Sequence, residues 1–312
     1  MSLPGRPKGE YRSAQHEGTP LSAVDLYARA KPGFEQRVLK AVALLQQATE
    51  RHSGRVVFTT SLGVEDMVLT DLIARHGLPI ALATLQTGKL HAQTLALLPR
   101  IEERYGLQVE QWQPQAEQVI QFVERHGELA MRQSVDLRKA CCAMRKLEPL
   151  ARALAGRSAW VTGLRREQSD ARAEVPCTSI DEQGREKFNP LADWSQADVW
   201  HYVRTHEVPY NELHDQFFPS IGCEPCTRAV AFGEDIRAGR WWWESESAKE
   251  CGLHLSPHAT DAAAADGSRS EPSALVSAQA RIGAADASRS QNKDAKECGL
   301  HIGTAAQTKE VA

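Results

Sequence analysis

The chain has 312 residues, 42% of them hydrophobic, a formal net charge of -3 and seven cysteines. That length and apolar content support one large domain or two small ones with a buried core. The lack of any run of eighteen apolar residues excludes a helical membrane span. A charge this close to zero gives no general pull toward nucleic acid, so any anion site has to be a local cluster of Arg and Lys.

Residues 1–20 are polar, rich in Gly and Pro, and carry no apolar stretch of signal type, so a flexible N-terminal arm and a cytoplasmic location are expected. Apolar periodicity then predicts a helix over Phe34–His52, a strand over Val56–Thr59, a helix over Glu65–His76 and a strand over Ile80–Leu85. Helices near Thr94–Tyr105 and Ala116–Arg125 follow, with strands at Gln108–Gln111 and Ala159–Val161. Strands alternating with helices of this length imply crossover connections, hence an α/β fold with a parallel sheet flanked by helices.

After His254 the composition turns to Ala, Ser, Asp and Arg, with almost no large apolar residues, and such a stretch cannot offset its ordering entropy. The expected organisation is an arm over 1–20, a catalytic domain over 21–254 and a disordered tail over 255–312. The tail repeats a motif: AKECGLH at 248–254 recurs at 295–301, placing a second copy of Cys251 at Cys298.

Cysteine usage carries the chemistry. Cys141 and Cys142 are adjacent in CCAMRKLEPL, and Cys223 and Cys226 lie in SIGCEPCTR. Four thiolates can hold an iron–sulfur cluster or a zinc ion, both of which prefer soft sulfur. Structural zinc sites normally space each pair by two to four residues, so an adjacent pair tilts the balance toward a cluster. Cys251 is left over as a nucleophile, with Lys249, His254 and nearby arginines as the cations that would lower its pKa. Cys177, isolated in VPCTS, reads as a packed core thiol.

TTSLGVEDMVL sets a Ser- and Gly-containing turn between a strand and a helix, where backbone N–H groups and the helix dipole favour an anion. Thr60, Ser61, Gly63 and Glu65 are the candidates. Basic residues gather at Arg165, Arg166 and Arg172, at Arg145 and Lys146, and at Arg237 and Arg240. Converging guanidinium groups suit a ligand with two anionic groups.

The segments TGLRREQS, NPLADWSQADVW, VPYNELHDQFFPSIGCEPCTR, GEDIRAGRWWWE and KECGLH closely resemble, in this order, the assimilatory adenylyl-sulfate (APS) reductases of bacteria. The resemblance runs from about Leu26 to His254. It implies an adenine nucleotide alpha-hydrolase-like fold with a mobile C-terminal segment, and reduction of APS to sulfite and AMP through an S-sulfocysteine on Cys251, within sulfate assimilation and cysteine biosynthesis. It further implies one 4Fe-4S cluster on Cys141, Cys142, Cys223 and Cys226, with Lys146 linking cluster and substrate, and Thr227 and Arg228 as donors to cluster sulfur. Arg165, Arg166, Arg172, Arg237 and Arg240 would bind the phosphate and sulfate. Thr87 and Gly88 in LQTGKLHAQT resemble a family Asp-Thr-Gly turn near the adenosine, with Gln86 replacing the acid. Thioredoxin or glutaredoxin is the implied reductant, a homo-oligomer is compatible, and no nucleic acid or membrane is involved. Trp241, Trp242 and Trp243 are expected to pack a hinge and not to stack on a base. The alternative enzyme is a reductase of the 3'-phosphorylated nucleotide, PAPS. A non-catalytic nucleotide sensor would have no need of Cys251.

Overall fold

The computed structural model describes residues 22–245. The N-terminal arm, Cys251, His254, Cys298 and the tail all lie outside the described residues, so the expectations for them are not addressed by the fold. No described helix is long and apolar enough to cross a membrane.

In chain order the elements are α1 (Ala23–Tyr27), α2 (Phe34–Arg51), β1 (Val56–Thr60), α3 (Val64–Arg75), β2 (Ala81–Leu85), α4 (Ala92–Leu95), α5 (Leu97–Tyr105), β3 (Val109–Trp112), α6 (Ala116–His126), α7 (Val135–Cys142), α8 (Glu148–Ala153), β4 (Ala159–Val161), β5 (Thr178–Ile180), β6 (Glu186–Phe188) and α9 (Gln196–His206). The helix predicted over Thr94–Tyr105 is two helices, and α7 runs through a π-helical turn, Ala143–Leu147, into α8. The α9 start is written locally: Ser195 accepts from the Asp198 N–H while the Asp198 carboxylate accepts from the Ser195 N–H, a reciprocal cap.

The six strands lie in the order β3-β2-β1-β4-β6-β5. β1, β2, β3, β4 and β6 are mutually parallel, whereas β5 pairs antiparallel with β6. The α/β expectation holds, with a mixed sheet in place of a purely parallel one. The antiparallel edge arises because β5 and β6 are joined by a tight turn, Asp181–Arg185, too short for a crossover. β5 (TSI) and β6 (EKF) are short and mostly polar, so neither shows the apolar run that makes the equally short β4 (AWV) legible.

Side chains alternate across the sheet. Val56 and Phe58 point into the main core with Leu45, Leu69, Leu72, Trp194 and Trp200, while Val57 points to the other face with Leu150, Leu154 and Trp160. Both faces are therefore apolar and helix-covered, which is why β1 reads as a continuous apolar run. The chain leaves β1 toward β2 and β3, then returns to the other side of β1 as β4. The strand order thus reverses at β1, and in open α/β sheets the carboxyl ends of the strands at such a point form the ligand crevice.

Candidate active site

A cavity of about 240 Å³ lies at this reversal point. Its floor is made by strand ends: Thr59 and Thr60 of β1, Thr84 and Leu85 of β2, and Trp160 of β4 with Thr162 and Gly163 beyond it. Of the residues singled out in the sequence, Thr60, Ser61, Gly63, Glu65, Thr87, Lys146, Arg165, Arg172, Arg237 and Arg240 all line it. Two do not. Gly88 sits in a left-handed turn (φ 71°) at the edge of β2, and its N–H donates to the Gln86 side-chain oxygen at 3.1 Å. Gln86 therefore caps its own turn, a role that needs an oxygen and no charge. Arg166 bonds the Val175 carbonyl at 2.9 Å and pairs with Asp193, so it ties loops together.

The turn after β1 is closed on itself. The Ser61 N–H and hydroxyl both donate to Asp66 Oδ2 at 2.6 Å, the Leu62 N–H to Thr60 Oγ1 at 3.0 Å, and the Gly63 N–H to Ser61 Oγ at 3.3 Å. Leu62 is fully buried at φ 60°, a left-handed conformation rare for a branched residue. Asp66 was absent from the sequence-based candidates, yet it occupies the heart of the turn. Burial pushes its carboxyl up to about 6, opposed by the two Ser61 hydrogen bonds and reinforced by the neighbouring Glu65 charge. Gly163 allows this approach, since a Cβ there would stand 2.0 Å from Asp66 Oδ1.

Burial also works against the Glu65 charge, but the Arg165 guanidinium and hydrogen bonds from Gln168 and Arg165 hold its carboxyl below the ordinary range. Arg165 grips Glu65 Oε1 through Nε and Nη2 at 3.0 and 2.8 Å, so part of its charge is already matched. Arg172 bonds Gln168 Oε1 at 2.7 Å. Arg240 is 8% exposed, bonds the Ile221 carbonyl at 3.2 Å, stacks on Trp241 at 4.7 Å, and forms no ion pair among the described residues. Its head fits because Gly222 lacks a side chain; a Cβ there would lie 2.4 Å from Nη2. His214 also lines the cavity, 5.2 Å from the Trp200 ring, and burial depresses its pKa, keeping the imidazole neutral.

A second cavity borders the first. Cys141 and Cys142 at the end of α7 meet Cys223 and Cys226 there, together with Met131, Arg138, Arg145, Lys146, Arg240 and Trp241. Lys146, Arg240 and Trp241 line both cavities and form the wall between them. The Cys-x-x-Cys turn is stitched on two sides: Leu90 bridges Cys223, the Glu224 N–H donates to the Lys89 carbonyl at 2.7 Å, and the Trp241 N–H donates to the Cys226 carbonyl at 3.2 Å. Thr87 Oγ1 lies 3.3 Å from Cys223 Sγ, and Arg145 donates to the Thr87 carbonyl at 2.7 Å. The Thr227 and Arg228 side chains both have protein partners. The Thr227 hydroxyl caps the turn at the Cys223 carbonyl, 3.0 Å away, and Arg228 pairs with Glu234.

The four cysteines are free and buried. Burial pushes the Cys226 thiol up to about 12, reinforced by Cys223 and Cys142 and opposed by Lys146 and Arg240. Burial likewise raises Cys141, with Arg145 opposing. No carboxylate or imidazole lines this cage. Four mutually repelling sulfurs in apolar surroundings, ringed by cations, fit a soft cationic centre whose thiolate complex is anionic overall. Among the described residues, no three His, Cys, Asp or Glu side chains are arranged to hold a single metal ion. Cys177 packs in the main core with Sγ 3.8 Å from Asp193 Oδ2.

The profile of the phosphoadenosine phosphosulfate reductase domain matches residues 55–229. The chain belongs to that family. An adenosine 5'-phosphosulfate reductase of Burkholderia cepacia is 54% identical over 226 residues, covering 72% of this chain and 90% of the relative. The enzyme of the same name from Allochromatium vinosum is 55% identical over 219 residues, covering 70% and 85%. The crystal structure of the phosphoadenylyl-sulfate (PAPS) reductase of Candida auris, a phosphate complex, superposes with a TM-score of 0.52 at 26% identity, covering 65% of this chain and 98% of that one. The family fold and the cavity at its strand ends therefore belong together, and the chain is a reductase acting on a sulfur group.

Proposed function

We propose that this reductase converts APS to sulfite and AMP in sulfate assimilation, through an S-sulfocysteine on Cys251. The observation that carries the reading is the shared wall: Lys146, Arg240 and Trp241 stand between a nucleotide-sized cavity and a four-cysteine cage. The names of the relatives that are about half identical favour APS over PAPS as the nucleotide.

In this reading the adenosine lies along the strand ends and the phosphosulfate faces Arg172, Arg237, Arg240 and Lys146. The Cys251 thiolate attacks the sulfate sulfur. A sulfur–sulfur bond forms, the sulfur–oxygen bond to phosphate breaks, and AMP leaves with that electron pair. The Arg and Lys groups stabilise the charge growing on the leaving phosphate. A thiolate of a dithiol protein such as thioredoxin or glutaredoxin then attacks Cys251 Sγ, expelling sulfite with the bonding pair. Its second thiol resolves the mixed disulfide, so the two electrons come from the reductant. Cys141, Cys142, Cys223 and Cys226 would hold a 4Fe-4S cluster, which would supply a fixed local field to the site. His254 is proposed to help ionise Cys251.

Cys251→Ser is expected to abolish sulfite release while leaving the visible absorbance of anaerobically purified protein unchanged, because nucleophile and ligands are separate residues. Full activity in this variant removes Cys251 from the mechanism.

A further inference from the structure

We infer that Arg138 is a positioning residue: through a buried ion pair with Glu244 it ties the cysteine cage to the root of the segment that carries Cys251. The inference rests on the reading of Cys251 as nucleophile.

Arg138 precedes Cys141 and Cys142 by three and four residues on α7, so the three share one helical face. Its side chain lines the cage and is 0% exposed, and that of Glu244 is 3% exposed. Nε donates to Glu244 Oε1 at 2.9 Å and Nη2 to Oε2 at 2.8 Å, a two-pronged grip, while the guanidinium lies 4.7 Å from the Trp241 ring centroid. The guanidinium thus spans the gap between the cage and the residue beyond the tryptophan.

A buried pair of this kind is a poor way to gain stability, since apolar side chains of similar volume would avoid the desolvation cost. Its best-attested use is to enforce one arrangement over others. Here the arrangement has a mechanical consequence. Cys251 lies seven positions after Glu244, a reach of at most about 25 Å. Trp241, under the guanidinium, is part of the wall shared by both cavities. Fixing Glu244 therefore fixes where that reach begins, and with it the effective concentration of the nucleophile at the sulfate.

The test uses full-length, anaerobically purified protein and compares the parent with Glu244→Gln and with Arg138→Lys, which keeps the charge without the fork. Iron per chain, kcat and KM for APS, and the rate of proteolytic cleavage between residues 245 and 251 are measured together. Both variants are expected to retain iron and a KM within about twofold, to lose about tenfold in kcat, and to be cleaved about fivefold faster. A kcat and cleavage rate matching the parent overturn the inference. So does a raised KM at unchanged kcat, which would make the pair a substrate-binding device. If Glu244→Gln loses iron, Glu244→Asp, which keeps the carboxylate, takes its place under the same criteria. Activity retained by Cys251→Ser strikes the underlying reading instead, and leaves the cleavage comparison standing.

Discussion

Asp66 shows how far a single buried group can be shifted by its surroundings. Its carboxyl titrates near 6 in the folded chain because burial outweighs the two Ser61 hydrogen bonds, against about 3.9 when unfolded. A folded pKa above the unfolded one means that stability is fully present below about pH 3.9 and is lost as pH rises through about 6. Two pKa units correspond to roughly 3 kcal/mol. Asp66→Asn keeps an oxygen for Ser61 and carries no charge, so its melting temperature relative to the parent is expected to climb between pH 4 and pH 6 and then level off. A difference that stays flat over that range would show that Asp66 is not buried as an ionised group. Sequence reasoning passed over Asp66 because an acid at a helix start is ordinarily a surface residue. Its depth appears only in the fold, where it is 6% exposed and occupies room that a Cβ on Gly163, 2.0 Å from Oδ1, would take.

At the scale of elements, the site is assembled by turns. The Cys-x-x-Cys turn, the loop after β2 and the segment through Arg240 hold one another by backbone bonds, and none carries more than one short 3-10 turn, Glu224–Cys226, too brief for a period to reveal. Gly222 is a tight joint that bears directly on Arg240. An alanine there would place its Cβ 2.4 Å from Arg240 Nη2, so the guanidinium has to move. Losing one charge-assisted hydrogen bond to substrate costs about 1.5 to 3 kcal/mol, so Gly222→Ala is expected to raise KM for APS roughly 10- to 100-fold with iron content unchanged. An unchanged KM would remove Arg240 from substrate binding. Trp241 is 1% exposed and packs on the cysteines, while Arg132 caps Trp242 and Trp243 at 5.1 and 5.6 Å.

For the whole molecule, the cage joins parts of the chain 81 residues apart, α7 and the Cys-x-x-Cys turn, around a cluster of only five buried residues. So small an apolar cluster leaves that lobe dependent on what the sulfurs bind, and metal binding of this kind is coupled to folding. Cys226→Ala is expected to lose most of its iron and to lower the melting temperature by several degrees, on the order of 4 to 8 °C per kcal/mol in a small domain and less in a larger one. A variant with full iron content and an unchanged melting temperature would exclude Cys226 as a ligand.

Residue identity alone determined the class of chemistry and of fold. Paired cysteines, clustered arginines and alternating apolar periods are local features, and local features survive in a linear string. The four cysteines and ten of the candidate cavity residues converge as the string implied. What it could not determine was which charges remain available. Arg165 is held by Glu65, Arg166 by Asp193, Ser61 by Asp66 and Arg138 by Glu244, and each partner is fixed by packing between elements distant in sequence or by burial inside a turn. Desolvation and pairing depend on the surrounding three-dimensional packing, so only the tertiary structure separated the groups that face the cavity from those that build it.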